Sequence, residues 1–289
     1  MKYGLFIVGE KGLNVLKNLN LNSIGFVVSY DDKNTNDDSY TQIQNICNEN
    51  NIKYYDKIDF TLIPNNIEKI FVVGWQFLIK DNLKKYIVLH DSYLPEYKGW
   101  APTINYLING SKYLAVTAFE PTDKVDSGTI YRQEKINITY PIKINKALSI
   151  VSRLYSKTIN EIMSGNFEKK DLSEKYESRY ESFSVWRDSE DYFIDWTLDS
   201  DKIKRFIDAV GYPYDGAKTK IDNNTYTILE SKIVDDIKIN NREAHIGKVL
   251  FFNESNPVVI CGNGLIEIQK IRDSRGIDYK IKKLKTRFK

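Results

Sequence analysis

Two short stretches hold residues that can move a proton at neutral pH. The first is HDSYLPEYKGW, residues 90 to 100, in which one of only two histidines in 289 residues directly follows the apolar run Tyr86, Ile87, Val88 and Leu89. The second is KVDSGTIY, residues 124 to 131, which places Asp126 beside a serine and a glycine. A neutral imidazole near a carboxylate is the minimum equipment for shuttling one proton. Each residue also has a plainer reading, His90 as a strand-end histidine satisfied by backbone and Asp126 as the start of an Asp-Ser-Gly turn. No cluster has metal-ligand spacing, so no metal is expected. Cys47 and Cys261 form no CxxC and read as buried thiols of a reducing compartment.

The elements that must position these residues can be read from hydrophobic periodicity. YGLFIV (3 to 8) leads through GEKG into a helical stretch from Leu13 to Leu19. IGFVVSY (24 to 30) reads as a second strand, TQIQNICNENN (41 to 51) as the next helix, and KIFVVGW (69 to 75) and YIVLH (86 to 90) as two more strands. Strands alternating with helices predict a mainly parallel, Rossmann-like sheet covered on both faces. Ligands of such sheets gather at the carboxyl ends of the strands, where the pattern puts His90. The first turn lacks a full GxGxxG and no acidic residue is placed to hold a ribose, which weakens a nicotinamide reading.

PTINYLING (102 to 110) predicts a short helix capped by Gly110, residues 113 to 138 a strand pair around a loop, and residues 147 to 163 a long amphipathic helix. We expect a catalytic domain over 1–165, a polar and aromatic linker over 166–198, and a small β-rich, OB-like barrel over 199–289. In that last part a helix at 199 to 211 precedes AKTKI, TYTILES, IGKVLFF, PVVICGNG and LIEIQKI, short strands separated by turns. The tail, KIKKLKTRFK, reads as a solvated end.

With 42 basic against 39 acidic residues the chain has no global field that calls for nucleic acid or an anionic membrane. No apolar run reaches the roughly 18 residues needed to span a bilayer, and the opening residues are too short an apolar run for a signal peptide; a cytoplasmic protein is expected.

HDSYLPEYKGWAPTINYLING followed by VTAFEPTDKVDSGTIYRQEKI resembles the 10-formyltetrahydrofolate-dependent formyltransferases, with their His-x-Ser-Leu-Leu-Pro-x-x-x-Gly and later Asp-[ST]-Gly motifs. Residues 188 to 217 and the strands beyond them are similar to the linker and carboxyl-terminal domain of the methionyl-tRNA and sugar-modifying members. The resemblance implies catalytic roles for His90 and Asp126, and a pterin held by the backbone of GWQFLI, with Trp75, Gln76, Phe77, Leu78, Ile79 and Asp126 as its neighbours. It implies 10-formyltetrahydrofolate as co-substrate and no metal. Family members carry an asparagine two residues before the histidine, where this chain has Val88. A preorganised amide donor at a developing oxyanion is worth about 3 kcal/mol. Asn105, a backbone N–H or a charged His90 would have to replace it.

Three acceptor amines suit the family. Enzymes acting on the small glycinamide substrate lack a carboxyl-terminal barrel, and transfer RNA asks for a basic surface where DDKNTNDDSY (31 to 40) is acidic. The remaining acceptor is a dTDP- or UDP-linked amino sugar used in surface glycan assembly. Lys11 and Gly12 at the first strand-to-helix turn, together with Lys98 and Arg187, are expected anion contacts. Trp100, Tyr192 and other aromatic residues of the linker are expected to stack a nucleobase or to form docking core. Methionyl-tRNA formyl transfer stays open as an alternative, as does a folate- or nucleotide-binding relative without turnover. The β-rich end can serve substrate binding or a homodimer contact.

Overall fold

The computed structural model describes residues 2–32, 39–56, 63–64, 66–171 and 181–289. The middle of the acidic stretch after the second strand, together with Tyr176 and Tyr180, lies outside them. The chain forms two compact units, one of residues 1–103, 113–138 and 146–186, the other of residues 104–112, 139–145 and 187–289.

In chain order the first part runs β1 (Lys2–Ile7), α1 (Gly9–Lys17), β2 (Ile24–Val28), α2 (Ser39–Glu49), β3 (Lys53–Tyr55), β4 (Ile67–Val73), β5 (Tyr86–His90) and β6 (Lys98–Gly99). It continues through α3 (Pro102–Ile108), β7 (Tyr113–Pro121), β8 (Gly128–Asn137), α4 (Ile144–Met163), β9 (Lys170–Asp171) and β10 (Phe183–Ser184). The main sheet has the order β3-β2-β1-β4-β5-β7-β8-β9. Its first five strands are parallel, and β7, β8 and β9 add antiparallel. After its exposed Lys2, β1 is buried at every position. That is the continuous apolar run of a strand covered on both faces. The expected strands and helices are all present, and the short β3, β6, β9 and β10 are additions. α1 begins at Gly9, so GEKG is its first turn and not a loop before it.

β5 ends on His90 by pairing Val88 with Val72 of β4, and Val88 and His90 with Phe119 and Thr117 of β7. α4 presents Ala147, Leu148, Val151, Tyr155, Ile159 and Ile162 as a buried stripe at helical spacing. Cys47 and Cys261 are free and buried, and burial pushes both thiols up to about 12, which leaves them inert as nucleophiles at neutral pH. Among the described residues no helix is long and apolar enough to cross a membrane.

The second unit holds α5 (Ser200–Ala209), β11 (Ala217–Ile221), β12 (Asn224–Val234), α6 (Arg242–His245), β13 (Val249–Asn253), β14 (Asn256–Ile260) and β15 (Leu265–Asp273). Its antiparallel sheet has the order β11-β12-β15-β14-β13.

The tail corrects its expectation as a solvated end. Lys220 of β11 exchanges two backbone hydrogen bonds with Lys289, at 2.8 and 2.9 Å. At the other edge Phe288 N donates to Gly247 O at 2.7 Å, and Val249 N to Thr286 O at 3.1 Å. The last four residues therefore bridge both edges and close the sheet on itself. Exposed edges invite pairing, and a strand that covers two of them is held by more than its charges can disperse. Phe288 is 1% exposed and packs on Trp196 at 5.2 Å between ring centroids. The charge count misled because the alternate apolar residues Ile281 and Phe288, both buried, were outweighed by lysines that point outward.

Phe288→Ala is expected to destabilise this unit by about 3 to 5 kcal/mol, read as an earlier urea transition in tryptophan fluorescence. Lys283→Ala, at an exposed position, leaves the transition unchanged.

Candidate active site

The site is built at the carboxyl end of β5. His90 Nε2 lies 2.8 Å from Tyr97 O, and a carbonyl can only accept, so Nε2 carries the hydrogen. Nδ1 then faces Asp126 Oδ2 at 3.6 Å. The pair is 36 residues apart in sequence and arrives on different loops. Asp126 belongs to the turn between β7 and β8, which folds back over the sheet toward β5.

Gly128 sits where that turn re-enters β8, at φ +142°, with Glu120 O only 1.9 Å from where a Cβ would be. Only glycine fits there. Asp126 is fixed from the other side by Gly99 N, which donates to its Oδ2 at 2.6 Å. The loop that supplies Gly99 is itself pinned as β6, paired in parallel with β10. A Cβ at Gly99 would meet Ser184 O at 2.5 Å. Three non-glycine residues around this point, Tyr97, Ala101 and Asp126, have φ of 50°, 49° and 41°. Left-handed backbone of this kind costs about 1 to 3 kcal/mol per residue and is retained where surrounding contacts over-determine it.

Directly after His90, Asp91 is buried and takes three donors. Lys11 Nζ lies 2.7 Å from Oδ2, Thr103 Oγ1 donates to the same oxygen at 2.8 Å, and the Tyr155 hydroxyl donates to Oδ1. Burial alone would raise this carboxyl, but the Lys11 ammonium and these hydrogen bonds bring it down to about 2. Burial and the Asp91 charge push the Tyr155 phenol well up, so it stays a donor.

The expected site residues fall into distinct places. His90 and Asp126 meet. Lys11 and Gly12 are engaged within the chain: the Lys11 ammonium is held by the Asp91 carboxylate, and Gly12 N donates to Val8 O at 3.3 Å inside the first turn of α1. Lys98 is buried, 2.7 Å from Glu181 Oε1 and 3.3 Å from Ser127 Oγ. Trp100 and Trp186 meet edge to face at 5.0 Å, each with nearly half its surface exposed. Trp75 packs on Phe6, Tyr30 and Phe77, and its Nε1 is buried without a hydrogen-bond partner among the described residues. Gln76 donates to Asp32, Phe77 and Leu78 are exposed, and Ile79 packs against the core.

In the second unit Arg187 Nη2 donates to Asn105 Oδ1 at 3.2 Å, its Nε is buried and unpartnered among the described residues, and Tyr192 lies under the Lys218 ammonium. Val88, in the place of the family asparagine, packs between two apolar clusters.

Sequence reasoning missed the Asp91 cluster and the strand at 183–184. Signals for both existed: a carboxylate inside an apolar run, and the alternation ESFSVW. Among the described residues no group of three or more His, Cys, Asp or Glu could hold a metal ion.

Comparisons with known proteins agree in kind. The family model described as formyl transferase matches residues 16–150, and the one described as formyl transferase, C-terminal domain, matches residues 187–289. The methionyl-tRNA formyltransferase of Clostridium novyi is 26% identical over 247 residues, covering 80% of this chain and 77% of that protein. Among solved structures, the sugar 3N-formyl transferase WlaRD, determined in the presence of dTDP and 5-N-formyl-THF, superposes with a TM-score of 0.67 at 19% identity, over 96% of this chain and 99% of that one. An N-formyltransferase from Helicobacter canadensis, in complex with folinic acid and dTDP-3-aminofucose, gives 0.63 at 18% identity, over 96% and 100%. At these identities the likeness is one of fold.

Asp91 gives the site a pH signature. Its carboxyl is lower in the folded chain than unfolded, so the stability it contributes is present above its unfolded value near 4 and is lost as pH falls toward about 2. Unfolding free energy measured against pH should fall across that window, and Asp91→Asn should flatten the fall while lowering neutral stability by about 2 kcal/mol.

Proposed function

The chain belongs to the formyl transferase family, and from that premise we propose that it transfers a formyl group from 10-formyltetrahydrofolate to the amine of a nucleoside-diphosphate-linked amino sugar. The observation that carries the transfer reading is the His90–Asp126 pair, held by Tyr97 O and Gly99 N at the rim where open α/β sheets bind ligands.

The aromatic wall of Trp75, Tyr30 and Phe77, with the unpartnered Trp75 Nε1 among it, suits a flat heteroaromatic ring that offers acceptor atoms. Bound there, the folate supplies the formyl carbon. His90 receives at Nδ1 the proton that the attacking amine loses, and Asp126 stabilises the imidazolium that results. The new carbon–nitrogen bond forms to the amine, the bond to the folate nitrogen breaks, and His90 returns the proton to that nitrogen. Val88 has no side-chain donor, so the charged imidazole or the Asn105 amide takes the role of the family asparagine.

The sugar acceptor is favoured by the exposed Trp100–Trp186 pair one residue beyond Gly99, which offers a stacking surface for a base. Arg187, whose buried Nε has no hydrogen-bond partner among the described residues, has the character of an anion contact for the diphosphate. The near-neutral charge and the acidic stretch after β2 weigh against transfer RNA. The 26% identity to a methionyl-tRNA formyltransferase favours it as the second reading.

Folate release, measured with 10-formyltetrahydrofolate and a panel of dTDP- and UDP-linked amino sugars beside methionyl-tRNA, separates the two. Turnover is expected with a nucleotide sugar and not with tRNA; turnover with tRNA alone would reverse the acceptor assignment. His90→Ala and Asp126→Asn should each lower turnover by roughly 100-fold or more. Trp186→Ala should raise KM for the sugar nucleotide roughly tenfold with kcat little changed. Full turnover in Asn105→Ala would remove Asn105 as the donor.

A further inference from the structure

Asp91 is a fixed negative charge next to the reacting histidine, and the transfer chemistry does not use it. Two carboxylates thus flank His90, Asp126 on Nδ1 and Asp91 on the adjacent residue. Of the two, only Asp91 has a lysine or arginine at ion-pair distance among the described residues, the Lys11 ammonium at 2.7 Å. Lys11 comes from the first turn of α1, 80 residues upstream, and reaches a carboxylate that Thr103 and Tyr155 also hold. The Tyr155 hydroxyl oxygen also lies 3.2 Å from Leu89 O, so the same cluster packs against the residues on both sides of His90.

We propose that Lys11 and Asp91 are a charge-balanced positioning pair for His90. Asp91 anchors the end of β5, Lys11 cancels its field at the imidazole, and the proton affinity of His90 is left to Asp126. This rests on the reading of His90 as the proton carrier. Among the described residues Lys98, joined to the Asp126 turn through Ser127, is paired with Glu181, and the Tyr155 phenol faces Asp91. None of these supplies a second cation to Asp91, since Lys98 is engaged by Glu181 and Ser127.

The chain has only two histidines, so their imidazole signals can be followed individually by NMR, with His245→Gln making the assignment. Asp91→Asn leaves Lys11 uncompensated, and His90 should then titrate at lower pH, by about half a pH unit or more for one unbalanced charge near the ring. Lys11→Met leaves the carboxylate uncompensated, still held by Thr103 and Tyr155, and should move the midpoint up. The double variant removes both charges and should return the midpoint to its native position. His245 should not move in any of them.

A merely structural pair would not give opposite shifts that cancel. The proposal fails if the His90 midpoint stays in place in whichever single variant folds, or if the double variant stays as displaced as a single one. The titration is read without substrate, so it is independent of the transfer reading. That reading fails instead if His90→Ala keeps full turnover while the midpoints move as described.

Discussion

A carboxylate placed in the interior beside His90 has to be neutralised, and elements from across the amino-terminal unit converge to do so. Asp91 is buried, and an isolated charge there would be protonated or would unfold the site. Lys11 from α1, Thr103 at the start of α3 and Tyr155 from α4 converge on it. Three helices are thereby registered against the end of one strand. Such a cluster is weak evidence for stability, because a well-packed apolar replacement can be as stable. It does fix where β5 ends and how its last residue is presented.

The other side of the site is held by backbone. Gly99 N grips Asp126, β10 grips the loop that carries Gly99, and Tyr97 and Ala101 in that loop and Asp126 in the β7–β8 turn sit in left-handed conformations. Main-chain hydrogen bonds have no rotamers to lose, so a carboxylate fixed by an N–H is better oriented than one fixed by a long side chain. The same economy closes the carboxyl-terminal sheet, where residues 286–289 bond to β11 on one side and to the chain around Gly247–Val249 on the other.

Val88 shows which side chain the end of β5 can accommodate two residues before His90. Its side chain joins the cluster of Phe6, Ile70 and Tyr86 to that of Leu94, Phe119 and Ile130. An amide at this point would have to find partners among apolar neighbours, whereas valine packs on both. In this chain that position contributes to packing.

Much of this was legible in one dimension. Continuous apolar runs alternating with helical periodicity pointed to a mainly parallel sheet, because strands joined by helices and buried on both faces read as unbroken apolar runs. His90 at the end of such a run, an Asp-Ser-Gly loop and a carboxyl-terminal run of short strands followed from residue type and spacing alone. Contacts between residues far apart in sequence did not. That Lys11 pairs with Asp91, that Glu181 engages Lys98, and that a lysine-rich tail closes a sheet depend on which groups the tertiary structure brings within about 3 Å. Periodicity records which face of an element is buried; it carries no record of the partner that buries a charge. Only the folded chain decides that, because electrostatic and hydrogen-bond pairing is set by distance in space and not by separation along the chain.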